Sequence, residues 1–269
     1  MTIRLLAILL LLTMGANSAD AAVTMYWRAE GTTLDEAGNN DYSVGDAVAG
    51  AIGTPALNAT AMKYGTNGMH INASNEYYQF DLAADFITPN AGSVAFWIYW
   101  VSFTTDANTF FLARGDTATN VIYLRGTTTD ELRLFTQTGA SSSTYDTTDA
   151  NITTGNWYFF CTAWNDSANT RKIYLWDAAG AAVGSSPWID STTNYNAPSE
   201  LTGASARLRF GEASATGGTI EYYIDNIFTG DGDDCTTFYT NRAITAYSSY
   251  DAGGGGATLR NLMLLGVGQ

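Results

Sequence analysis

The chain has 269 residues, with 26 Asp+Glu against 12 Lys+Arg, a formal net charge of -14 and one His. Such a charge repels phosphate backbones and anionic lipid, which sets aside nucleic acid and membrane surfaces as partners. Hydrophobic residues make up 46% and charged residues 14%, so a core can be buried and wholesale disorder is excluded. The single His70 rules out a multi-histidine metal site and leaves any Ser-His-Asp hydrolase dependent on that one imidazole.

At the start, Arg4 precedes an apolar run over residues 5–12, followed by small and polar residues through Ala22. This order predicts a secretory signal peptide over residues 1–22, with a retained membrane anchor as the alternative. The run is too short for a bilayer, which takes roughly 20 apolar residues. The expectation is therefore a secreted or cell-surface protein with no membrane insertion after cleavage. Export permits a disulfide between Cys161 and Cys235, whereas Cys161 inside an apolar run also reads as a buried thiol.

Short β-rich runs separated by Gly, Asn, Asp and Ser then predict strands over 77–82, 93–103, 109–113, 121–125 and 132–137. Further strands are expected over 157–164, 172–177, 206–211 and 219–229. A helical period shows only around 238–247. Many short strands without intervening helices predict an all-β fold, a two-sheet antiparallel sandwich over residues 23–250. Four glycines, Gly253 to Gly256, mark a flexible hinge, and residues 251–269 form a hinge and apolar tail. The tail over 257–269 can close its own domain or add to a neighbour's sheet edge, which would make self-association.

Side chains alternate between faces along a strand. In several runs one face reads as core filler and the other carries aromatics with polar tips. The candidates for carbohydrate contact are Trp97, Tyr99, Tyr158, Trp164, Tyr174 and Trp176, with Trp188 beside Pro187. A flat indole or phenol covers the C–H groups of a sugar ring while nearby polar groups bond its hydroxyls. Sheet packing is the competing reading for each of them. Sequons begin at Asn58, Asn72, Asn151 and Asn165, and matter only in a eukaryotic secretory pathway.

The order of motifs resembles the laminin-G-like, concanavalin A-like jelly rolls. The opening block is Tyr26-Trp27-Arg28-Ala29-Glu30-Gly31. A second block is Tyr64 to Ile71 with Tyr77-Tyr78-Gln79-Phe80, and a third is the apolar run 93–97 ending in Trp97. Gly155-Asn156-Trp157-Tyr158, Ile173-Tyr174-Leu175, Leu208-Arg209-Phe210-Gly211 and Tyr223-Ile224-Asp225-Asn226-Ile227 complete it. The resemblance implies a jelly-roll sandwich of two antiparallel sheets, one of them concave. It implies no single function, since the fold hosts lectins, hydrolases and adhesion modules.

It also implies a structural Ca²⁺ held by Glu30 and Asp225 with carbonyls from residues 65–68. The competing reading is an Asp225 that bonds backbone amides. Laminarinase-like hydrolases of this fold place Glu, Asp and Glu at alternating positions of one strand. Here Glu221 and Asp225 share a face, but Tyr223 separates them and no second Glu follows. No catalytic residue is therefore assigned. The sequence points to an exported, non-catalytic module that binds carbohydrate or a surface macromolecule. A self-assembling extracellular structural subunit and a glycoside hydrolase are the rivals.

Overall fold

The computed structural model describes residues 23–29, 50–52, 56–72, 76–81, 87–102, 109–127, 131–191, 195–203, 206–211 and 221–245. The first half of the chain supplies β1 (Val23–Trp27), β2 (Gly50–Ile52), β3 (Ala56–Asn58), β4 (Gly68–Ile71), β5 (Tyr77–Asp81) and β6 (Ala91–Ser102). It continues with β7 (Thr109–Arg114), β8 (Val121–Gly126), β9 (Leu132–Thr138) and β10 (Ser141–Asp146). The remainder is β11 (Trp157–Asn165), β12 (Thr170–Asp177), β13 (Trp188–Asp190), β14 (Arg207–Phe210), β15 (Glu221–Gly230) and the helix α1 (Cys235–Asn241). Residues 1–22, expected to be a signal peptide, Glu30, and the expected hinge and tail over 251–269 lie outside the described residues.

These strands make two antiparallel sheets packed face to face. The larger, eight-stranded sheet runs β13-β12-β11-β6-β15-β4-β3, with β1 also paired to β15. The smaller, seven-stranded sheet runs β10-β9-β8-β7-β14-β5-β2. Period-2 alternation sends Phe96, Ile98, Trp100, Phe160, Ile173, Leu175 and Ile224 inward from the larger sheet. Ala113, Ile122, Leu124, Leu134, Leu208 and Phe210 meet them from the smaller one. Each such large side chain contributes about 1.5–3 kcal/mol on burial. Within this layer the fully buried Arg171 pairs with Asp190 and lies 5.6 Å from the Tyr145 ring.

β15 is the hub of the larger sheet. On one side it pairs with β6 along its length. On the other, residues 222–224 pair with β4, and residues 227–230 pair with β1. Between the two partners the strand bulges. Asp225 opposes Trp97 and Phe228 opposes Ala95, so three steps on β15 match two on β6. Asn226 takes φ 47° within the bulge. The extra residue reverses the alternation: Ile224 and Ile227 both face the inter-sheet core, while Phe228 faces the outer side.

The bulge also fills the gap in the ladder. Asp225 Oδ2 accepts the backbone N–H groups of Lys63 and Tyr64 at 2.7 and 2.8 Å, and Oδ1 accepts that of Asn226 at 2.8 Å. Asn226 Nδ2 donates to the Ile244 carbonyl at 3.1 Å, and the Tyr26 hydroxyl donates to the same carbonyl at 3.0 Å. These bonds hold the segment after α1 against the outer face of the larger sheet.

α1 lies on that outer face. Cys235 and Phe238 join a second buried cluster with Tyr26, Ala95, Trp97, Phe159, Cys161 and Phe228. A disulfide links Cys161 on β11 to Cys235 at the first turn of the helix. With the two cysteines 74 positions apart in sequence, the chain-entropy account gives it roughly 4 kcal/mol. The helix occupies Cys235–Asn241, earlier than the helical period expected over 238–247.

Two stability predictions follow from these bonds. Asp225→Ala strands three backbone donors and should lower unfolding free energy by about 3–5 kcal/mol in chemical denaturation. Added calcium should not restore it. A loss under about 1 kcal/mol would mean that the amides find other acceptors. Asp234, buried at the start of α1, has its carboxyl pushed up to about 6, first by burial, with the Ser93 hydroxyl pulling the other way. Its unfolded pKa is near 4, so the folded state holds this proton more tightly. That stabilisation is complete below about pH 4 and is lost as the pH rises to about 6. Asp234→Asn should therefore gain on wild type across this window, by at most about 2 kcal/mol once solvent screening is allowed for. Parallel thermal melts from pH 4 to 7 would read the difference, and a constant offset would refute it.

Candidate functional site

The six aromatics expected to contact sugar fall into three environments. Tyr158 and Trp164 point into the inter-sheet core, where Trp164 is 1% exposed and its Nε1 donates to the Thr88 carbonyl at 3.0 Å. Trp97 is 0% exposed beneath α1, with Nε1 donating to the Arg242 carbonyl at 2.7 Å. Burial leaves Trp97 and Trp164 no ring face for a ligand, whereas the Tyr158 hydroxyl reaches the edge of an open cleft and bonds Thr153 there. Trp188 is buried as well, its Nε1 donating to Asp149 at 2.7 Å. Tyr174 and Trp176 are half-buried on the outer face and stack 5.3 Å apart. The Tyr239 ring of α1 covers Trp176 at 4.5 Å. Tyr99 is half-exposed and uncovered by the helix cluster.

Tyr99 belongs to a row that single-strand alternation could not reveal. Trp157 opposes Tyr99, Tyr99 opposes Tyr223, and Tyr223 opposes His70 across β11, β6, β15 and β4. All four are half-exposed on the outer face of the larger sheet, beside the part covered by α1. Three strand steps span roughly 14 Å. Tyr99 and Tyr223 stack at 5.4 Å with an interplanar angle of 10°. Trp157 lies 5.5 Å from Tyr99, and His70 lies edge-on to Tyr223 at 4.9 Å.

Polar groups border both ends of the row. His70 Nε2 donates to Glu221 Oε1 at 2.9 Å, and Asn58 Nδ2 approaches His70 Nδ1 at 3.3 Å. Burial first, then the Glu221 carboxylate, raises the Tyr223 phenol above its ordinary range, which keeps it a hydrogen-bond donor. At the other end, Trp157 forms a wall of an open cleft of about 380 Å³ lined also by Thr153, Asn156 and Asp177. Asp177 Oδ1 accepts the N–H groups of Ala179 and Ala181, both at 2.9 Å. Those bonds fix the carboxylate at the cleft edge.

The carboxylates do not form a hydrolytic pair. Glu221 and Asp225 lie on one side of β15, but Asp225 is fully buried and bonded to backbone amides. The same bonds fit poorly with Asp225 as a calcium ligand, because its oxygens already serve N–H donors. Glu30 lies outside the described residues, and among those described no group of three or more His, Cys, Asp or Glu could hold a metal.

No protein-family model matches the chain, and no curated protein is significantly similar to it. Its fold is similar to those of solved botulinum neurotoxin domains. One is a type C structure described in terms of cell entry that depends on interaction with two ganglioside molecules. It gives a TM-score of 0.56 at 14% identity, over 84% of this chain and 52% of that one. A second is the serotype D binding domain, with a TM-score of 0.55 at 12% identity, over 83% and 52%. A third is a neurotoxin DC binding domain in complex with SialylT, with a TM-score of 0.54 at 14% identity, over 84% and 53%. The chain thus spans about half the length of these neighbours, and the likeness is one of fold: two antiparallel sheets in a β-sandwich.

Proposed function

We propose that the protein is an exported, non-catalytic module that binds carbohydrate on the outer face of its larger sheet. The observation that carries this reading is the in-register row Trp157, Tyr99, Tyr223 and His70. Four rings side by side across four strands form a shelf against which the apolar faces of successive sugar rings can lie. Asn156, Thr153 and Asp177 at one end, and Glu221 and Asn58 at the other, supply hydrogen-bond partners for hydroxyl groups. The row is fixed before a ligand arrives, because each residue is anchored by a ladder position, and preorganisation limits the entropy lost on binding. Tyr174 is a flanking contact in this reading, and Trp176 supports it through their stack. The fold neighbours described with ganglioside and SialylT are consistent with a glycan partner.

The test is a glycan array followed by titration calorimetry on any ligand found. Tyr99→Ala and Trp157→Ala should each weaken binding by about tenfold or more, as expected for anchor aromatics. Trp164→Phe, buried in the core at the far end of β11, should leave it unchanged. Full affinity in both alanine variants would remove the shelf as the site. An array on which nothing binds would remove the carbohydrate reading itself.

A further inference from the structure

The outer face of the smaller sheet has the opposite character from the rest of the chain. Leu208 and Phe210, Ile122 and Leu124, and Leu132 and Leu134 face the core, so their alternate neighbours face outward. Those neighbours include Arg207 and Arg209 on β14, Arg125 on β8 and Arg133 on β9. Ala113 faces the core on β7, which turns Arg114 outward as well. Five guanidinium groups thus share one sheet face of a chain with 12 Lys+Arg against 26 Asp+Glu. All five are half-exposed.

Their register is unusual. Arg207 directly opposes Arg114 on one side and Asp81 on the other, and Arg125 directly opposes Arg133. Like charges placed opposite each other across a ladder destabilise a sheet. Arg133 is relieved by a two-point bond to Asp146 at 2.6 and 2.7 Å. Arg209 bonds Gln79 at 2.7 Å and lies 4.3 Å from the Tyr77 ring. Arg114 and Arg125 have no such relief: each has a buried Nε without a hydrogen-bond partner, and Arg125 leans on the Tyr123 ring at 5.7 Å. Between the two arginine pairs, Tyr123 and Phe135 stack at 4.6 Å. In register this stack continues into Leu112 and Arg209.

We infer that this face is a second binding surface, for a linear acidic polysaccharide. Arg114 and Arg125, one from each arginine pair and set on either side of the Tyr123–Phe135 stack, match a chain whose anionic groups are spaced by sugar rings. Guanidinium groups bond carboxylate and sulfate alike, in two-point geometry. A nucleic acid fits less well. Its phosphates are denser, one charge per about 1.7 Å of duplex, than the single carboxylate per sugar ring of a chain such as alginate. The surface is on the opposite side of the sandwich from the Trp157 to His70 shelf, so either can exist without the other.

The test uses the full chain with alginate as a carboxylated probe, dextran sulfate as a sulfated one, uncharged dextran, and a duplex DNA oligonucleotide. At low salt one or both acidic polysaccharides should bind, and dextran should not. Affinity should fall roughly tenfold from 50 to 200 mM salt if two to three ionic contacts form. The double variant Arg114→Gln, Arg125→Gln should lose about tenfold or more, whereas Arg114→Lys, Arg125→Lys keeps most of the affinity. Tyr99→Ala and Trp157→Ala should leave polyanion binding intact, which separates this result from that of the shelf. Alginate alone would assign carboxylate, and dextran sulfate alone sulfate. Should the double Gln variant fail to fold, each single variant carries the same comparison. Absence of binding to both acidic polymers, indifference to the Gln substitutions, or equal capture of the oligonucleotide would overturn the inference.

Discussion

One extra residue in β15 organises the larger sheet. The bulge at Asp225 and Asn226 lies where the strand exchanges one ladder partner for another. Buried backbone amides need acceptors, and the Asp225 carboxylate supplies them where no strand lies alongside. The left-handed Asn226 turns its amide outward to hold the segment after α1. Because the bulge reverses alternation, Phe228 reaches the outer face and packs against Phe238. The seat of the helix is therefore a property of the strand beneath it.

That seat divides the outer face in two. On the covered side, Trp97, Phe159 and Phe228 form a small second core with α1, closed by the Cys161–Cys235 link. On the bare side, Trp157, Tyr99, Tyr223 and His70 keep one flank in water. Residues two apart on a strand thus have opposite fates. Trp97 and Tyr99 share a face of β6, yet one is sealed and the other open. Exposure on this sheet is decided by what lies over a residue as much as by the face it occupies.

This explains how far the sequence could be read. Alternation was enough for the sandwich, and each strand expected from β-rich runs overlaps an observed one. β10 escaped notice because Ser141-Ser142-Ser143-Thr144 has no apolar alternation, and β13 because three residues beside a proline show no period. Faces within a strand were legible, but the identity of the core face was not: Tyr158 and Trp164 carry polar atoms yet point inward, where Trp164 finds a backbone carbonyl. Trp157 and Tyr223 were not singled out for ligand contact, since their alignment with Tyr99 exists only once β11, β6 and β15 are in register. The arginine pairs were hidden for the same reason, being 93 and 8 positions apart in the chain (207 against 114, 133 against 125).

The pairing of β1 with β15 joins residues near position 25 to residues near 228. Such a closure has a large loop entropy, and topologies dominated by distant pairings fold slowly. β1 cannot be seated until almost the whole sandwich has been synthesised. Through that interval Met25 and Trp27, both fully buried at the end, have no partner strand to cover them. Seating β1 is therefore a late step of folding, and the Trp27 indole is among the last of the large core side chains to be covered.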